Sequence, residues 1–200
     1  ALGILHCQDN PIRSLEPLYD SPPGAFYFYT PTLSVAELER AARAWEAVPA
    51  QQHHATAART FAYIRNGMYR SLRNLAAERK GSAYLYVPWV TTREVAERVC
   101  VRAGGHLLTI AGAAEENYLD TASQVPTAGA NWAGVVETDE GLRWQGRTQG
   151  GALPQGVVHQ EDAPWLYHLG ALRKTGVVGR AAFIIEWDTA SDSAVAQTGT

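Results

Sequence analysis

Neighbouring pairs of side chains in this sequence have the types that could do chemistry: His6-Cys7, His53-His54, Asp139-Glu140 and Glu161-Asp162. A nitrogen beside a sulfur, or two imidazoles, could hold a transition metal, and paired carboxylates could divide acid and base work. The spacings argue against each. His53 and His54 fall near the start of a helix, where adjacent residues face different directions, so they are expected as exposed polar residues. His6-Cys7 has no second pair at zinc-finger spacing. Carboxylates adjacent in sequence rarely converge on one substrate atom, which leaves both acidic pairs as loop charges. No Gly-x-Ser-x-Gly elbow and no phosphate-cradling glycine loop occurs. The residues thus predict no catalysis, no metal and no cofactor.

The composition narrows the partners. The chain has 200 residues, of which 46% are apolar and 18% charged, enough for one full domain and a smaller element. With 17 basic and 20 acidic side chains, its formal charge of −3 gives no pull toward nucleic acid. No run reaches the ~20 apolar residues of a membrane helix, and the opening Ala-Leu-Gly-Ile-Leu-His lacks the plan of a signal peptide. Membrane insertion is therefore not expected. Two cysteines, Cys7 and Cys100, exclude a disulfide framework. Richness in alanine and arginine suits a bacterial chain.

The elements that must position any site can be read in order. Prolines at 11, 17, 22, 23 and 31 predict an irregular arm with one short strand near 25–30. Ser34 and Glu37 form a capping box before a helix bearing Leu38, Ala41, Ala42 and Trp45, ended by Pro49. Apolar steps through Phe61, Ile64, Met68, Leu72 and Leu75 predict a long helix over about 55–79, weakened slightly by Gly67, with its arginines as the solvated face. Gly81-Ser82 punctuates the chain. Residues 1–84 hold nine basic and seven acidic side chains and the remainder eight and thirteen, so the charge changes sign near this point. The predicted division is an arm and helical extension over 1–81, a domain over 82–190 and a tail over 191–200. In the second part, 83–87 reads as a strand, and Thr91 with Glu94 caps a helix whose inner face is Val95, Val99 and Ala103, stopped by Gly104-Gly105. A second helix is expected near 113–124, then strands over 131–137, 142–144 and 181–187, with an aperiodic stretch from 147 to 165. Strand, helices and strands again make an α+β domain.

Spaced features across about 84–187 resemble the C-type lectin-like domain family. They are the helix ending in Cys100, Gly104-Gly105-His106-Leu107-Leu108-Thr109-Ile110, Glu115-Glu116-Asn117-Tyr118-Leu119, Asn131-Trp132-Ala133-Gly134-Val135, Leu142-Arg143-Trp144-Gln145-Gly146 and Phe183-Ile184-Ile185-Glu186-Trp187. The resemblance implies a C-type lectin-like fold of two helices, small antiparallel sheets and a long loop. Trp132 and Trp144 are expected in the core. Nothing in residues 1–80 resembles that family.

The resemblance also implies where a ligand site would lie. The family's calcium-dependent sugar binders use a Glu-Pro-Asn or Gln-Pro-Asp triplet, a glutamate seven positions after the proline, and a later Asn-Asp pair. Here Leu153-Pro154-Gln155 stands at the triplet, Glu161 at the glutamate and Arg173-Lys174 at the Asn-Asp pair, and the closing strand keeps register at Glu186. Leucine offers no oxygen and two cations replace two ligands, so calcium would meet repulsion. The family's later cysteines correspond to Ala163, Val177 and Ile185, leaving Cys100 to pack as a small hydrophobe. Arg173 or Lys174 is expected either to fill the ion position, paired with Glu161 or Asp162, or to point into solvent.

These readings lead to a non-catalytic, calcium-independent module that binds a protein partner or acts as a subunit of a larger complex. The expected surface spans residues 154–174, with Pro154, Gln155, Glu161, Trp165, Tyr167, Arg173 and Lys174 as its contacts and His168 beside them. The alternative is a carbohydrate-binding lectin, with calcium on unrecognised ligands, or without it for acidic sugars. The resemblance favours an extracytoplasmic location, weakly opposed by the lack of disulfides.

Overall fold

A computed structural model of the chain describes residues 4–6, 12–20, 25–27, 33–79, 81–110, 115, 118–119, 131–138, 141–144, 165–168, 171–174 and 179–188. The arm contributes β1 (Ile4–His6) and β2 (Ala25–Tyr27), a parallel pair, where one short strand was expected. Helix α1 (Val35–Glu46) starts as the capping box predicts: the Ser34 hydroxyl accepts from the Glu37 N–H at 3.1 Å. The Glu37 carboxylate does not turn back to the cap. It is 2% exposed and reaches the arm, accepting from the Leu15 N–H at 2.5 Å, the Tyr19 hydroxyl at 3.0 Å and the Ser14 hydroxyl at 3.1 Å. Arg40, one turn along, bonds its other oxygen.

The long helix expected over 55–79 is corrected to α2 (Gln52–Arg65), a 3-10 segment (Tyr69–Leu75) and β3 (Ala77–Arg79). Gly67 breaks it. Its φ of 71° belongs to the left-handed region that glycine tolerates, and the Met68 N–H closes the turn on the Tyr63 carbonyl at 2.8 Å. Apolar periodicity ran on through Met68, but that side chain is 45% exposed after the break. His54 is corrected as well. It is buried, with its ring 5.6 Å from that of Trp45, because α2 folds back on α1 and turns this position inward. Leu15, Leu33, Leu38, Trp45, Ala58 and Phe61 fill the space between the two helices and the arm.

Strand β4 (Ser82–Thr91) is longer than its predicted core and includes Pro88. A proline fits there because it falls where the β4–β11 register shifts, between the Val87–Phe183 and Thr91–Ala181 pairs, and β3 covers only Ser82–Tyr84. Since β4 takes Thr91, the cap of α3 (Arg93–Ala103) moves one residue to Thr92. The inner face is Ala96, Val99, Cys100 and Ala103, with Val95 only half-buried. Gly104, at φ 81°, ends the helix. Cys100 is 1% exposed, and burial pushes its thiol well above the ordinary range, as suits a packed hydrophobe.

The remaining strands are β5 (His106–Leu107), β6 (Asn131–Trp132), β7 (Val135–Thr138), β8 (Gly141–Trp144), β9 (Trp165–His168), β10 (Ala171–Lys174) and β11 (Ala181–Asp188). The stretch expected as one strand over 131–137 is split at Ala133-Gly134. The large sheet runs β10-β9-β6-β11-β4-β3, with β5 also on β11. β11 is its hub. One edge pairs antiparallel with β4, and the other is shared between β6, parallel, and β5, antiparallel. Every residue from Ala181 to Trp187 is buried. Phe183, Ile185 and Trp187 pack among Leu72, Leu85, Val99 and Trp132, while Ile184 joins Tyr84, Leu108, Leu119 and Trp144 on the opposite face. Both faces of this strand are therefore core, as its continuous apolar run requires. Ile64 and Leu72 share the first of these clusters with Ala83 and Leu85, so side chains from both sides of Gly81 pack together. The architecture is α+β. Of the helix expected near 113–124, Glu115, Tyr118 and Leu119 are described and helical.

Candidate functional site

Two places hold residue types able to recognise something. The first is the region the sequence singled out. Pro154, Gln155 and Glu161 lie outside the described residues, as do Asp162, Ala163 and Val177. Trp165 and Tyr167 lie on β9, and Arg173 and Lys174 on β10, the outer hairpin of the large sheet. A strand thus occupies 171–174, beyond the aperiodic stretch expected over 147–165. The register sets Lys174 opposite Trp165, Arg173 opposite Leu166, and Leu172 opposite Tyr167. β9 itself pairs with β6, Tyr167 opposite Asn131 and Leu166 opposite Trp132. Trp132 anchors that junction, since it is 1% exposed and its indole N–H donates to the Thr91 carbonyl at 2.8 Å. Trp144 is equally buried, as expected.

The second place was not singled out by the sequence. β5 pairs with β11 so that His106 stands opposite Glu186, and Asp188, two residues on, shares their face. Glu186 is fully buried. One of its oxygens accepts from both the N–H and the hydroxyl of Thr109 at 2.8 Å, and the same oxygen lies 3.8 Å from His106 Nδ1. His106 Nδ1 also lies 2.9 Å from the Leu107 carbonyl, and Nε2 lies 3.2 Å from the Asp188 carboxylate. One ligand atom from each of the three residues falls within 4.8 Å of the others. Gly105 permits this approach: a Cβ there would stand 2.4 Å from the Glu186 carbonyl. Beneath the cluster the Tyr84 hydroxyl donates to Glu115. Burial, with the charges of Glu186 and Glu115, pushes that phenol far above its ordinary value. The only sequence trace of this cluster was the i, i+2 spacing of Glu186 and Asp188. His106 comes from the Gly104–Ile110 run, and nothing local pairs it with Asp188, 82 residues away.

Among the described residues, no helix is long and apolar enough to cross a membrane. No family model matches the chain, and no curated protein does. Comparison with solved structures finds a calcium-independent type II antifreeze protein, 18% identical, covering 56% of this chain and 91% of that one at a TM-score of 0.48. It also finds the C-type lectin domain of murine dendritic cell inhibitory receptor 2 in complex with N-glycan, 14% identical, covering 57% and 96% at a TM-score of 0.49.

Proposed function

We propose that the chain is a non-catalytic recognition or assembly module of the C-type lectin-like kind, working without calcium and meeting a protein partner through residues 154–174. The residues that carry the sequence resemblance occupy framework positions: Cys100 and Gly104-Gly105 close α3, Trp132 anchors β6, and Phe183–Trp187 forms the hub strand. Residues 1–81 are the extension packed on that module over 82–190, followed by the tail 191–200. The observation that supports calcium independence most is the β9–β10 register. Two cations, Arg173 and Lys174, stand on one four-residue strand at the positions aligned with two oxygen ligands. A divalent ion needs six to eight oxygens and meets positive charge there instead. Trp165 and Tyr167, on the neighbouring strand, are residue types that anchor protein interfaces.

The test is the melting temperature of the metal-stripped full chain with and without millimolar calcium. The curves are expected to coincide, because an ion that binds the native state must raise it. A clear rise with calcium overturns the reading. Lys174→Glu tests the charge substitution itself: a lowered melting temperature supports an internal pair with Glu161 or Asp162, and an unchanged one places Lys174 in solvent. The placement of Trp165 opposite Lys174 also favours a second reading, in which an aromatic face and a cation hold an acidic sugar. Saturable binding to one class of acidic glycan on an array would establish it, and silence with a co-purifying protein would favour assembly.

A further inference from the structure

We infer that His106, Glu186 and Asp188 form a binding site for a divalent transition-metal ion of the zinc class, where β5 joins the hub strand β11. The donor set is one imidazole nitrogen and two carboxylate oxygens on one face of two paired strands, all mutually within 4.8 Å. A tetrahedral ion with bonds of about 2.1 Å needs ligand atoms about 3.4 Å apart. His106 Nε2 and Asp188 are already at 3.2 Å, so that edge of the set is in place. Two carboxylates beside one imidazole leave net negative charge, which a divalent cation neutralises. The nitrogen donor selects zinc, copper, nickel or iron over calcium, which takes oxygens.

The surroundings favour coordination too. In the tautomer whose Nδ1–H donates to the Leu107 carbonyl, Nε2 presents its lone pair toward Asp188. A backbone carbonyl holding the far nitrogen is the usual support of a metal-bound histidine. Thr109 supports Glu186 likewise, with two hydrogen bonds to one oxygen. His106 and Asp188 are 20% and 28% exposed, leaving a way in and room for water as a further ligand. The site is distinct from the 154–174 surface, and its existence does not depend on what that surface binds.

The test is titration of the full chain with cobalt(II), followed by zinc and monitored by visible absorption, with thermal melts alongside. One equivalent of cobalt is expected to give a d–d band that zinc abolishes. His106→Gln and Asp188→Asn are each expected to weaken binding at least tenfold, while His6→Gln and His53→Gln leave it unchanged. At zinc a hundred times its dissociation constant the melting temperature should rise by about 5–10 °C, and in His106→Gln it should not. Both test substitutions lie at the partly exposed end of the cluster and spare the fully buried Glu186. Absence of the band, a band indifferent to His106 and Asp188, or one lost with His6 or His53 would each overturn the site. A melting response to calcium would overturn the proposed function and leave this one standing.

Discussion

Each half of the molecule is built around one buried glutamate, and the two are satisfied in different ways. Glu37, in the helical half, gathers three donors from the arm, and its charge is met by Arg40, three residues away and 57% exposed. Glu186, in the sheet half, is held by Thr109 and faced by His106, both from a distant part of the chain. Glu37's counter-ion remains solvated and adjustable. Glu186 has partners that strand pairing brings from far along the chain. A buried carboxylate can therefore be a local latch or a long-range tie, depending on how far along the chain its partners lie.

Substitutions can break or sharpen that contrast. Glu186→Ala should have the largest effect, about 3–5 kcal/mol in urea denaturation, because it strips a buried acceptor and leaves the N–H and hydroxyl of Thr109 without it. Glu37→Ala should cost less, about 1–3 kcal/mol, since Arg40 stays in water. It should also speed tryptic cleavage after Arg13 by undocking the arm. Equal losses at the two sites would remove the distinction between latch and tie. Acid sharpens the Glu37 half. Burial raises its carboxyl pKa, but the bonds from Leu15, Arg40, Tyr19 and Ser14 outweigh burial and leave the value below its ordinary 4.5. The native state then holds the proton less well than the unfolded chain. Its contribution is complete above the ordinary value and fades as pH falls through the lowered one. Protection of Arg13 from cleavage, followed down the pH scale in Glu37→Gln and the parent, should show this fall only in the parent. Ser34→Ala is the smallest change, about 1 kcal/mol through the lost cap, with Glu37's grip on the arm intact.

The same contrast explains what was legible in the sequence. The capping box, the hub strand Ala181–Trp187, the stop at Gly104 and the burial of Trp132 and Trp144 all leave local patterns, and each stands where those patterns point. Glu37's role was hidden because its donors, Leu15, Ser14 and Tyr19, form no motif. The break at Gly67 was hidden because apolar spacing continued through Leu72 and Leu75 while the backbone changed from α-helix to 3-10. His106, Glu186 and Asp188 meet only through the β5–β11 pairing, which no spacing rule supplies. Of the 154–174 surface, the described part is the β9–β10 hairpin, and its register was equally beyond local pattern.

The order in which the chain leaves the ribosome has a consequence for this protein. α1 and α2 are neighbours in sequence and bury one another around Trp45 and Phe61, so the helical half can collapse soon after Arg65 emerges. β4 has to wait. Its partner along most of its length is β11, so that backbone edge stays unpaired until residues 181–187 have been synthesised. During that interval an apolar ten-residue strand with an open edge is the segment a nascent-chain chaperone would hold, and slowed translation between β10 and β11 would prolong its exposure.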